Sequence, residues 1–222
     1  MRAPISIIIP TLNAAAGLPG CLTALMEGLE GSLIRELIVV DGGSDDDTQA
    51  IAKAWGAELI VTAPSRGGQL RTGCAAARGD WLLVLHADTQ LSPGWSGPAR
   101  AHMATGQAGW FQLAFDSGGR AVAGWANLRS RMLGLPYGDQ GLLLPRALYA
   151  HAGGYPDQPL MEDVALARAL KGHLRPVGAV AVTSAARYRR AGWLRRGARN
   201  LLTLARYFAG TDPEVLARAY RR

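Results

Sequence analysis

The chain has 222 residues, is 49% hydrophobic and 18% charged, and carries only two cysteines, Cys21 and Cys74. That length suits one domain with a full core. The composition excludes a disordered chain and a disulfide scaffold, and it fits a reduced compartment. The net charge of +7 is unevenly placed: residues 1–186 are near neutral, whereas residues 187–222 hold ten arginines and two acids.

Ile5 to Ile9 is β-branched and almost continuously apolar, which predicts a buried parallel strand ended by Pro10. Asn13 to Leu29 carries a helical stripe of Leu18, Leu22, Leu25, Met26 and Leu29. Glu36 to Val40 reads as a second buried strand ending at Asp41. Gly42-Gly43-Ser44 reads as a turn, with Ser44 capping a helix that runs to Trp55. The acids Asp45 to Asp47 are explained by the helix dipole without a ligand. A third strand is expected over Glu58–Thr62, a small-residue helix over Gly68–Arg78, and a fourth strand over Trp81–Leu85. Beyond this the pattern weakens to a strand over Trp110–Phe115 and helices over Asn127–Leu133 and Asp163–Lys171.

Alternating strands and helices predict an α/β fold with a mostly parallel, Rossmann-like sheet flanked by helices. Ligands bind such sheets beyond the carboxyl ends of the strands. Pro10-Thr11, Asp41 and Asp88 all fall at such ends. Asp88 at the mouth of a sheet suits Mg²⁺ or Mn²⁺, and a turn cap is the alternative. Asp41 suits a nucleobase or ribose, or a strand-end cap. Glu162-Asp163 opens a helix and suits a general base, or a helix cap. Arg66-Gly67-Gly68-Gln69 precedes a helix and suits phosphate. There is no P-loop, dinucleotide fingerprint, zinc spacing or GxSxG elbow.

Five motifs in order, Ser6 to Asn13, Ile38 to Asp45, Ala77 to Asp80, His86-Ala87-Asp88 and Glu162-Asp163, resemble the family 2 glycosyltransferases of the GT-A fold. The resemblance spans about residues 4–185. Tyr137 to Gly141 and Leu160 to Asp163 are similar to a compact bacterial branch, some members of which are named diaponeurosporenoate glycosyltransferase. It implies an inverting, metal-dependent hexosyl transfer from a nucleotide sugar, UDP-linked for preference, to a hydroxyl acceptor, with a lipid or carotenoid as the candidate. On that resemblance Pro10, Thr11, Asn13, Asp41, Arg66 and His86 would line the nucleotide pocket. Asp88 would hold Mg²⁺ or Mn²⁺, and Asp163, with Glu162 beside it, would be the catalytic base. Asp139 and Gln140 are candidates for the donor sugar or acceptor, with the core as the alternative for Asp139. Two departures stand out: His86 replaces the first acid of the metal motif, and Ala14 replaces a common acid. The competing readings are a sugar-nucleotide pyrophosphorylase and a non-catalytic binding module.

The division expected is a nucleotide half over about 1–109, an acceptor half over about 110–186, and a basic helical tail over 187–222. In the tail, Leu201, Leu204, Ala205 and Phe208 share one helical face, and Arg195, Arg199 and Arg206 lie nearly opposite. That pattern fits a helix on an anionic membrane surface, or equally a surface helix covering the core. Nucleic acid is not expected as a partner, since no reading motif accompanies the arginines. The expected location is the cytoplasm, at the inner face of the membrane where the tail binds there.

Overall fold

The computed structural model describes residues 3–221. Eight strands form one sheet: β1 (Ile5–Thr11), β2 (Ile34–Asp41), β3 (Glu58–Val61), β4 (Trp81–Val84), β5 (Thr89–Leu91), β6 (Ala108–Phe115), β7 (Leu142–Pro145) and β8 (Leu174–Thr183). Their order is β3-β2-β1-β4-β7-β6-β8-β5. The first four are mutually parallel, β7 runs antiparallel to both neighbours, and β6 and β8 are parallel. Helices are α1 (Leu18–Glu30), α2 (Thr48–Ala54), α3 (Arg66–Ala76), α4 (Ser96–Met103), α5 (Arg120–Leu133), α6 (Arg146–His151), α7 (Glu162–Ala169), α8 (Ala186–Ala191), α9 (Trp193–Phe208) and α10 (Pro213–Arg221). A 3-10 turn spans Gly138–Gln140.

The strand β1 is apolar on both faces because both of its faces are covered. Ile5, Ile7 and Ile9 enter one core with Leu22, Leu25 and Trp95, while Ile8 enters a second with Leu70, Cys74 and Val164. All four isoleucines are fully buried, each contributing roughly 1.5–3 kcal/mol relative to exposure. Pro10 does not end β1. It pairs in register with Val40, while pairing with β4 stops at Ile8, so its missing N–H faces no sheet partner there.

Several helix starts shift from the sequence expectation, α3 to Arg66, α5 to Arg120 and α7 to Glu162 among them, and the first two helices show why. The first helix begins at Leu18 because Asn13 takes a left-handed conformation (φ 51°) and is tied to the neighbouring loop: its N–H donates to Ser44 and its side chain accepts from Asp45 N–H. The second begins at Thr48, because Ser44 turns its hydroxyl to Asp41 at 2.5 Å instead of capping a helix.

The C-terminal helices fold back onto the sheet. Leu204 enters the second core, and Leu216 and Ala217 are buried. Of the expected stripe of Leu201, Leu204, Ala205 and Phe208, only Leu204 lies on the inward face of α9. Thr203 and Leu204 are buried and Arg196, Asn200 and Tyr207 partly so, while Leu201, Ala205 and Phe208 are exposed.

Candidate active site

The carboxyl ends of β1 and β4 open into a cleft of about 660 Å³, lined among others by Pro10, Thr11, Asn13, Arg66, His86 and Asp88. That volume lies in the usual range for a small-molecule site. A smaller chamber of about 120 Å³ adjoins it, lined by Tyr137, Asp139, Glu162, Asp163, Tyr188 and Tyr220 among others. Arg66, His86, Asp88, Arg187 and Tyr220 line both, so they form the shared wall.

Asp41 is not brought to the cleft surface. It is fully buried, and its oxygens accept from Thr11 Oγ1 (2.8 Å), Ser44 Oγ (2.5 Å), Gln49 Nε2 (2.8 Å) and the N–H groups of Gly43 and Ser44. Burial pushes its pKa up, but hydrogen bonds from Ser44, Thr11 and Gln49 outweigh this and hold it below the usual value. With its acceptor capacity filled, it knits the β1 and β2 ends together. Gln69 adds to the same knot, donating to the carbonyls of Thr11 and Val40 at 2.8 Å each.

Gln140 likewise faces inward. It is fully buried, its carbonyl accepts from Ser130 Oγ at 2.6 Å, and its amide donates to Asn127 and the Phe111 carbonyl. It anchors the 3-10 turn rather than lining a cavity. Asp139, one residue earlier, does reach the chamber.

Asp139 Oδ1 is buried without a hydrogen-bond partner. Burial raises its pKa to about 6; Arg129 opposes this, and Asp163 and Asp88 add to it. Glu162 is 2% exposed and lies 3.7 Å from Arg66 Nε. Burial and the neighbouring Asp163 raise its pKa to about 7, against the pull of Arg66. Asp163 Oδ2 accepts from Gly138 N–H at 2.8 Å, and Oδ1 from Val164 N–H at 2.7 Å. Met161, at φ 65°, makes the left-handed step that turns this acidic pair into the chamber.

His86 stands at the shared wall. Burial, with Arg66 and Arg187 nearby, holds its imidazole well below its usual pKa, so it is neutral. A Cβ on Gly138 would lie 2.2 Å from His86 Nε2, so only glycine lets the 3-10 turn close over this ring. Among the described residues no three His, Cys, Asp or Glu converge as a ready-made metal cage. Asp88 with neutral His86 beside it fits a cation that takes most of its oxygens from substrate phosphates and water, as Mg²⁺ does.

Arg187, Tyr188, Arg196, Asn200, Ala217 and Tyr220 also line these cavities, and sequence reasoning missed them. A hydrogen-bonded latch holds them: Arg196 donates to Tyr220 Oη, Tyr220 donates to Asn200 Oδ1, and Asn200 donates to Tyr188 Oη, each at 3.0 Å. No local pattern in the sequence announces that the tail returns to the site.

A stretch of 99 residues is 43% identical to a PGL/p-HBAD biosynthesis glycosyltransferase of Mycobacterium bovis, covering 41% of this chain and 38% of that protein. A 93-residue stretch is 32% identical to glucosyl-3-phosphoglycerate synthase of Mycobacterium tuberculosis, covering 38% of this chain and 28% of that one. The matches thus span well under half the length of these relatives. In fold, the chain resembles S. aureus TarS (residues 1–349) in complex with UDP-GlcNAc, with TM-score 0.65 and 16% identity over 82% of this chain and 58% of that one. It also resembles the M. tuberculosis synthase in complex with Mg²⁺ and UDP, with TM-score 0.58 and 22% identity over 82% and 69% of the two chains. The sequence model for glycosyl transferase family 2 matches residues 6–153, from the first strand past the 3-10 turn that carries Asp139, and stops short of Glu162 and Asp163. With about two thirds of its length matched in this way, the chain belongs to glycosyl transferase family 2.

Proposed function

We propose that the protein transfers a hexose from a nucleotide sugar, UDP-linked for preference, to a hydroxyl acceptor with inversion at the anomeric carbon. The observation that carries this reading is the shared wall. Asp88, His86, Arg66 and Arg187 stand where a nucleotide cleft meets a chamber that holds Glu162 and Asp163. A donor lying across the wall has its diphosphate at the cations and its sugar facing the acids. UDP complexes among proteins of similar fold support the choice of nucleotide.

In this reading Pro10, Thr11 and Asn13 receive the nucleoside, and the buried Asp41 keeps their loop rigid. Asp88, with His86 beside it, would hold Mg²⁺ or Mn²⁺, which when bound supplies positive charge beside the diphosphate. Asp163 takes the proton of the acceptor hydroxyl as its oxygen bonds to the anomeric carbon, and the bond to the diphosphate breaks with the electron pair leaving on oxygen. The Gly138 N–H fixes the Asp163 carboxylate for this. Arg66 is steered by Glu162, and with Arg187 it receives the negative charge of the departing nucleoside diphosphate. Asp139, unpartnered on one oxygen, accepts from a sugar or acceptor hydroxyl. Residues 1–109 thus serve the nucleotide, 110–186 the acceptor, and 187–222 close the site. The acceptor we infer is an alcohol, a lipid-linked one where the protein works at a membrane.

The test is a panel of UDP-, GDP- and dTDP-sugars with an alcohol acceptor panel, reading nucleoside diphosphate against pyrophosphate. Release of nucleoside diphosphate, lost in Asp163→Ala, is expected. Pyrophosphate release would point to a pyrophosphorylase, and binding without turnover across the panel to a binding module.

A further inference from the structure

Helix α9 is amphipathic in the reverse sense for a surface helix. Its mixed, partly polar side faces the protein, with Arg196 and Asn200 at the chamber. Its apolar side faces out: Leu194, Leu201, Leu202 and Phe208 are 90%, 46%, 60% and 48% exposed, and Ala198 and Ala205 between them are exposed too. At 100° per residue these six fall within about 120° of arc. Helix α5 repeats the arrangement. Trp125, Leu128 and Met132 share one face and are 49%, 50% and 73% exposed, while Ala123, Ala126 and Ser130 are buried behind them. The two helices start at a common corner. The Trp193 ring packs on Phe115 at 5.1 Å and lies where a Cβ on Gly119 would stand, 2.2 Å away.

Contiguous exposed apolar faces of this kind mark interaction sites. Charge identifies the occupant. The 14 residues of α5 and the 16 of α9 hold seven arginines and not one Asp or Glu. Exposed Arg195 and Arg206 sit beside the α9 apolar face, and exposed Arg120 and Arg131 beside that of α5. A second copy packed on the same faces would set arginine against arginine, which is repulsive. Apolar side chains flanked by arginines match the interface of an anionic bilayer, where the acyl boundary takes the former and headgroups the latter.

We propose that the outer faces of α5 and α9 dock the protein on an anionic lipid surface. Docking places the chamber behind α9, one helix diameter of about 10 Å from the headgroups. The inference stands apart from the reading of the active site, since it concerns surfaces that line neither cavity, apart from its implication for where the acceptor comes from.

The test is co-sedimentation of the full chain with phosphatidylcholine vesicles, with and without about a quarter phosphatidylglycerol. Binding is expected only with the anionic lipid, falling as salt rises. Leu201→Glu with Leu202→Glu, and separately Leu128→Glu with Met132→Glu, should each weaken it by about tenfold or more, with unfolding midpoint and nucleotide binding unchanged. Arg195→Gln with Arg206→Gln should do the same without touching an apolar residue. Binding to neither vesicle, or equally to both, would overturn the proposal, as would full binding by either glutamate pair. A dimer in sedimentation velocity that the α9 glutamates dissociate would assign the face to a second copy instead. Because no sugar donor is present, failure here leaves the transferase reading intact, and loss of transfer activity leaves this one intact.

Discussion

The loop after β2 and the chamber treat their polar groups differently. In the loop that follows β2, outside the lining of the cleft, the carboxylates are satisfied from within. Asp41 accepts five hydrogen bonds, and Asp46 accepts from Ala15 N–H as well as from Thr48. Both have pKa values below the usual range. In the chamber two polar groups are short of partners. Asp139 Oδ1 and Arg196 Nε have none, and Asp139 and Glu162 are raised to about 6 and 7. A satisfied loop is stiff and suits a support next to the site. An under-satisfied wall is destabilised until a ligand supplies the missing contacts, which is where chemistry is expected.

The sharpest break of this contrast is at the acidic pair. Asp163→Ala should lower transfer on the order of 10²–10⁴-fold while nucleotide affinity stays within about twofold. Equal losses in both would make Asp163 a structural group. At the shared wall, Arg187→Gln should weaken nucleoside diphosphate binding about tenfold and weaken the monophosphate less in titration calorimetry, since the proposed donor pose sets the diphosphate at the guanidinium groups. Equal effects on both nucleotides would take Arg187 off the diphosphate.

Stability should separate the two regions next. Asp41→Ala removes the acceptor of five hydrogen bonds and should cost about 2–4 kcal/mol in denaturant unfolding. Asp139→Asn should instead raise stability at pH 8, by roughly 1–3 kcal/mol. The sign follows from the raised pKa. The folded state keeps a proton that the unfolded chain loses near pH 4, so wild type loses stability between about pH 4 and 6 and the penalty then stays level. The asparagine variant lacks that slope, and at pH 3 its advantage should vanish. An advantage that does not depend on pH would mean that ionisation of Asp139 is not the cause.

The strands β1 and β4 were legible because parallel strands buried on both faces must be apolar throughout, and Ile5 to Ile9 and Trp81 to Leu85 are. The strand β8 was not: Pro176 and Gly178 interrupt it, and its register with β6 slips near Trp110, so no simple alternation survives. The strand β5 is three residues long, too short for a period to register, and β7 runs straight into Pro145 and a helix. At the site, a carboxylate at a strand end reads alike whether it faces a ligand or the protein. Sequence therefore could not tell that Asp88 lines the cleft whereas Asp41 is enclosed. Arg187 and Tyr220 were out of reach for another reason, since their place depends on the tail folding back over about 200 residues of chain. The GT-A resemblance named the fold correctly, while nothing found supports the carotenoid acceptor.

The most direct test is a thermal-shift titration of wild type and Asp88→Ala with UDP, GDP and dTDP, each with and without Mn²⁺. Wild type should be stabilised by at least one nucleotide, more strongly with Mn²⁺, and the Asp88 variant should lose the Mn²⁺-dependent part alone. Stabilisation by no nucleotide, or an equal Mn²⁺ effect in both proteins, would contradict the account.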